Sequence, residues 1–166
     1  SVPLTVNGAS FSGNRADKGY GGALYASGLN TVLKNVKFDG NTALYGGGIM
    51  NFGNMTIGGG SSFTNNKASA GGAVFTLGTL NLDTTEGDIL FSGNKAEDAS
   101  EGGADIYLNT GGGTVVNIQG DANVLAMDGG FSGSGVINKT GGNTLVFGEN
   151  ADNSLFRGEF NQSAGT

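Results

Sequence analysis

Two short motifs recur in the same order four times along this chain. Their nearly constant interval constrains the fold more than any other feature. The first motif reads F-x-x-N-x-A. It occurs as Phe11, Asn14, Ala16; Phe38, Asn41, Ala43; Phe63, Asn66, Ala68; and Phe91, Asn94, Ala96. The phenylalanines stand 27, 25 and 28 residues apart. The second motif is a glycine pair leading into a small and then an aliphatic residue, with pairs Gly21/Gly22, Gly46/Gly47 and Gly71/Gly72 leading to Leu24, Ile49 and Val74. The fourth pair, Gly102/Gly103, leads to Asp105 where an aliphatic side chain is expected, with Ile106 one place later. Each unit closes on a glycine, at Gly28, Gly53, Gly78 and Gly111. A short alternating stretch precedes each phenylalanine: Leu4/Val6, Thr31/Leu33, Met55/Ile57 and Leu80/Leu82. Period-two alternation is the signature of a strand with one buried face.

Each unit of about 25 residues therefore holds three short strand-like pieces separated by Gly, Asn, Ser or Asp. No stretch carries a 3.6-residue period, so helix is expected to be nearly absent. The reading is all-β: a right-handed, single-stranded parallel β-helix of six to seven coils, roughly 30 Å long at the spacing of paired strands. Stacked coils put equivalent positions above one another. Phe11, Phe38, Phe63 and Phe91 then form an inward ring stack, and Asn14, Asn41, Asn66 and Asn94 an amide ladder at a tight turn. The glycine pairs supply positive φ or close backbone approach at a corner. These motif residues are read as mainly structural. Residues 1–111 carry the four repeats, and 112–166 continue with two or three more coils. No linker divides them, so 1–166 is expected to be one solenoid.

Composition removes whole classes of chemistry. Cys and His are both absent, which excludes disulfide scaffolds, thiolate or imidazole metal sites, Cys nucleophiles and Ser-His-Asp triads. The net charge of −6 argues against nucleic acid as a partner. No apolar run approaches the length of a membrane span, so no direct membrane insertion is expected. The glycine runs 58–60 and 111–113 lack the Lys-Ser/Thr of a phosphate loop and are read as turns. The one dense acidic run holds Glu97, Asp98, Glu101 and Asp105, beside Lys95. A polysaccharide lyase of β-helix type would need such acids to hold calcium beside a basic residue. Here they read better as a solvated loop, so no enzyme activity, metal or cofactor is expected.

The paired F-x-x-N and G-G-A-(I/L/V) elements resemble the repeats of chlamydial polymorphic outer-membrane proteins and related autotransporter passengers. The stretch 131–158, with Lys139-Thr-Gly-Gly-Asn-Thr-Leu145, resembles the autotransporter-associated β-strand repeat, although Asn143 stands where a second glycine is usual. The resemblance implies a secreted Gram-negative surface protein with a β-helical passenger, exported through a membrane barrel and often adhesive. The opening Ser1-Val2-Pro3-Leu4 falls mid-repeat, and this chain is expected to be a segment of a longer passenger.

Function is expected to reside in loops that break the repeat, because ladder constraints do not reach them. Two stretches qualify: Asp83–Asp88, with Asp83, Glu86 and Asp88, and Ala96–Glu101, with Glu97, Asp98 and Glu101. Both are acidic and favour a basic or polar partner. Tyr20 and Tyr45, just before glycine pairs, face either outward or inward on this reading. The expected role is adhesion, to a host-cell surface protein or glycan or to another copy of the chain. The alternatives are a stalk that displays a distal domain and a polysaccharide-active enzyme.

Overall fold

The computed structural model describes residues 3–28, 30–109, 111 and 113–166. Ser1 and Val2 of the opening run, and Gly112 of the second glycine run, lie outside the described residues. The first coil runs through β1 (Leu4–Asn7), β2 (Ser10–Ser12), β3 (Arg15–Tyr20) and β4 (Leu24–Ala26). The second is β5 (Asn30–Lys34), β6 (Lys37–Asp39), β7 (Thr42–Tyr45) and β8 (Ile49–Asn51). The third is β9 (Asn54–Gly58), β10 (Ser62–Thr64), β11 (Lys67–Ala68) and β12 (Val74–Thr76). The fourth is β13 (Thr79–Asp83), β14 (Ile89–Ser92), β15 (Lys95–Ala96) and β16 (Ile106–Leu108). The fifth has β17 (Val115–Gln119), β18 (Val124–Met127) and β19 (Phe131–Gly133). The sixth has β20 (Val136–Lys139) and β21 (Thr144–Phe147), and β22 (Glu159–Gln162) opens a seventh.

Every pairing between these strands is parallel and joins one coil to the next. Four sheets result, the first of seven strands, the second of six, the third of four and the fourth of five. The architecture is a parallel β-solenoid of about six turns.

The first four coils have four strands each where the sequence reading has three. The additional break falls inside F-x-x-N-x-A: the phenylalanine lies in the second sheet and the alanine in the third, with the asparagine at the corner between them. Side-chain alternation on a short strand then puts the phenylalanine inside. Phe11, Phe38, Phe63 and Phe91 are in direct register and stack with ring centroids 4.7, 5.0 and 4.7 Å apart. Met127 and Phe147 continue the row through the last two coils.

The asparagine ladder is complete and directional. Asn41 Nδ2 donates one hydrogen to the Phe11 carbonyl and the other to Asn66 Oδ1. Asn66 and Asn94 repeat the first contact on Phe38 and Phe63, and Asn66 donates its second hydrogen to Asn94. Each Oδ1 in turn accepts the backbone N–H and the amide of the preceding asparagine. Every amide hydrogen from Asn41 to Asn94 is therefore satisfied inside the fold, as burial requires.

The corner glycines divide the work. Gly21, Gly46 and Gly71 lie at φ between +62° and +63°, where an L side chain is strained. Their partners Gly22, Gly47 and Gly72 touch carbonyl oxygens of the next coil, leaving no room for a Cβ. The fourth copy is displaced by one residue from the expected alignment. Ile106 pairs with Val74, so Gly103 and Ala104 stand under Gly71 and Gly72. Asp105 therefore occupies the small-residue position of Ala73 rather than the aliphatic one.

This displacement has a physical reason. The third sheet ends at β15, and the fifth coil passes from β18 to β19 through Gly129 and Gly130 without an asparagine. The second amide hydrogen of Asn94 needs an acceptor, and Asp105 Oδ1 supplies it at 2.9 Å. Asp105 Oδ2 accepts the N–H groups of Gly129 and Gly130. Burial pushes the Asp105 carboxyl up to about 6 against these three donors, which favour the anion.

A second irregularity lies in the first sheet. Its inward row runs Leu33, Ile57, Leu82, Ile118 and then Lys139. The buried Lys139 ammonium donates to the carbonyls of Gly141 and Ala164 and to Asn143 Oδ1 at 2.7 Å. Burial lowers its pKa. Asn143 is thus the lysine's acceptor, and its Nδ2 reaches Thr84 in the fourth coil.

Candidate binding face

The most distinctive surface is the outside of the fourth sheet. In the G-G-A-aliphatic element the aliphatic residue points in, so the next residue points out. Those outward residues are Tyr25, Met50, Phe75 and Tyr107, paired in direct register. Beside them, at the end of the third sheet, Tyr20 pairs with Tyr45 and Tyr45 with Ala70. Beyond the fourth sheet, Phe52 and Leu77 complete the strip. The chain has four tyrosines, and all four lie on this strip.

The rings make a second, external aromatic ladder. Tyr20 stacks on Tyr45 at 5.9 Å, Tyr45 meets Phe75 edge-on at 5.2 Å, and Phe75 stacks on Tyr107 at 4.6 Å. Tyr25 and Phe52 tilt against each other at 5.3 Å. Mutual stacking buries Met50, Phe75 and Tyr107, and leaves Tyr20, Tyr25 and Phe52 at 48, 51 and 39% exposure. The strip borders a groove of about 370 Å³, with Glu101 and Asn109 as its polar members.

The sequence reading left the direction of Tyr20 and Tyr45 open, and both belong to this outer strip. It did not identify Tyr25, Phe52, Phe75 or Tyr107. A signal was present: in every copy the inward aliphatic residue is followed by another apolar one, as Leu24-Tyr25, Ile49-Met50, Val74-Phe75 and Ile106-Tyr107. On a strand buried on one face only, that second position should be polar.

The two acidic loops lie at different corners. Asp83 ends β13, and Glu86 and Asp88 lie in the turn between the first and second sheets. Their carboxylates are occupied. Burial acts to raise the Asp83 carboxyl, but hydrogen bonds from Thr85 and Gln119, with Lys34 nearby, hold it below the ordinary range. Glu86 pairs with Lys34 at 2.9 Å, and Asp88 accepts the Val124 N–H. In the other loop, Glu97 pairs with Lys67 at 2.7 Å and Asp98 accepts both donors of Ser100. Glu101 differs: it lines the aromatic groove and has no ion-pair partner among the described residues. Burial and then the Asp98 charge raise its pKa. The Tyr107 phenol is raised by burial and by Glu101. The second acidic loop therefore joins the aromatic strip, and the first does not. Among the described residues no group of three or more Asp or Glu is placed to hold a metal ion.

The fold and this surface define a class: a parallel β-solenoid built from ladder repeats, with one apolar outer face. Residues 8–27 and 60–77 match the family model of the Chlamydia polymorphic membrane protein repeat. These segments hold the first and third copies of the paired motif, and the second and fourth copies adopt the same stacked geometry. Two segments of the chain are thus similar to this repeat. No curated protein matches the chain, and no solved structure does. The repeat and the solenoid together suggest a surface-exposed passenger of the autotransporter type.

Proposed function

We propose that this chain is an adhesive segment of a bacterial surface passenger, and that the outer face of the fourth sheet is its contact surface. The partner is a host-cell surface protein or glycan, or another copy of the chain. One observation carries this reading: all four tyrosines, with two phenylalanines, gather on one outer face of the solenoid. Contiguous exposed apolar surface of this kind marks interaction sites, and tyrosine is enriched in them. A solenoid also repeats its face along its length, so weak contacts add by avidity.

The test is binding of the purified chain, displayed on beads, to cultured epithelial cells and to a second set of beads carrying the same chain. Tyr25→Ser and Phe52→Ser change exposed rings without touching the inward stack. Loss of either binding mode in the double variant supports the reading, and undiminished binding overturns it. The stalk reading draws on the continuous buried ladders, which make the rod stiff. It prevails if the parent chain binds neither target.

A further inference from the structure

From the chemistry of the groove we infer that its occupant is a protein segment bearing an arginine or lysine, with the cation held at Glu101 and the apolar part on the aromatic strip. This rests on the aromatic face being the contact surface and adds the partner's charge. The groove holds about 370 Å³ between the rings and the loop that precedes β16, enough for one long side chain and its neighbours. Its polar end is anionic. Glu101 reaches the groove, Asp98 lies close enough to perturb it, and Glu97 is on the same loop. Of the three, Glu101 alone lacks a hydrogen-bonding or ionic partner for its carboxylate among the described residues. A partly desolvated carboxylate beside a second one is an uncompensated charge, and an incoming cation relieves it.

The aromatic lining favours the same ligand. Tyr45, Phe75 and Tyr107 present ring edges and faces around one cavity, and a guanidinium or ammonium gains from both ring and carboxylate. Arg157 shares a smaller hollow of about 190 Å³ with Glu101 and Tyr107. Its guanidinium is turned to the carbonyls of Ser154 and Phe156 and makes no ion pair with Glu101. A second copy of the chain docked face to face would bring two such acidic loops together. That repulsion disfavours self-pairing through this groove.

The test uses the whole chain and three fluorescein-labelled nonapeptides, in which leucine alternates with arginine, glutamine or glutamate. Fluorescence anisotropy reads the affinity. The arginine peptide is expected to bind, and the glutamine and glutamate peptides to bind at least about tenfold more weakly, as for loss of one contact to a charged group. Glu101→Gln should weaken the arginine peptide about tenfold, as should Phe52→Ser. Glu159→Gln, on the first sheet, should change nothing. Arg157→Gln should bind at least as tightly as the parent. Arginine-peptide binding indifferent to Glu101→Gln overturns the inference, as does weaker binding in Arg157→Gln or no binding at all. Cellohexaose is the neutral control. If it binds and depends on Phe52 but not on Glu101, the face remains a contact surface and the cationic partner is wrong. If nothing depends on Phe52, both readings fail.

Discussion

Replacing Asn66 by alanine removes one rung of the buried amide ladder, and the structure sets the size of the effect. The Asn66 side chain accepts the N–H and the Nδ2 of Asn41 at 3.0 and 2.9 Å. It donates to the Phe38 carbonyl at 2.9 Å and to Asn94 Oδ1 at 3.0 Å. In Asn66→Ala the Asn41 N–H and one Asn41 amide hydrogen lose their partners in the interior. Asn94 Oδ1 keeps the backbone N–H of residue 66. Each orphaned buried group costs about 1–3 kcal/mol, and water entering the vacated space recovers part of it. The expected loss is about 3–5 kcal/mol, or a fall in Tm of about 6–20 °C for a chain of this length. The outer face of the first sheet supplies an internal control. There Asn81 donates to Asn54 and accepts from Asn117, an amide ladder in contact with water. Asn81→Ala should cost no more than about 0.5–1 kcal/mol. Thermal and urea unfolding followed by far-UV circular dichroism would compare the two. If Asn66→Ala melts with the parent, or if both variants fall equally, burial does not give the ladder its weight.

Three further outcomes are expected. Phe38→Ala and Phe63→Ala each remove a ring stacked on both sides and should cost about 3–5 kcal/mol by the same unfolding assays. Asp105, raised to about 6 by burial, binds its proton more tightly in the folded chain than in the unfolded one, where it titrates near the ordinary 3.8. Its contribution of about 3 kcal/mol is therefore complete below that lower value and lost as pH rises through about 6, so the difference in urea midpoint between parent and Asp105→Asn should change across that window and be level above it. Incubation with polygalacturonate and calcium should release no unsaturated sugar; release abolished by Lys95→Ala or Glu97→Gln would restore the enzyme reading.

Much of the fold was legible because a solenoid writes its three-dimensional period into its sequence. Equivalent residues of adjacent coils must meet, so Phe11, Phe38, Phe63 and Phe91 announce a stack, and Asn14 to Asn94 a ladder, before any coordinates exist. The glycine pairs were legible for the same reason: a backbone that touches the next coil tolerates no Cβ. Spacing alone did not reveal how the chain ends its own pattern. Asp105 looked like a failed aliphatic position, and only the turn through Gly129 and Gly130 shows that it receives the last amide hydrogen of the ladder. Lys139 looked like part of a strand–turn motif, and only stacking puts its ammonium among carbonyls from two coils.

The binding face divides the same way. Composition and motif order determined that the chain is a β-solenoid without thiol or imidazole chemistry. Which side of the coil the tyrosines occupy was decided by the glycine-pair corner between the third and fourth sheets. That corner sets the phase of the strand after it, turning Tyr25, Phe75 and Tyr107 outward, with Tyr20 and Tyr45 beside them at the end of the third sheet. A strand's side chains alternate strictly, but their absolute direction depends on where the preceding turn falls. That depends on contacts between coils about 25 residues apart, which no local window of sequence contains.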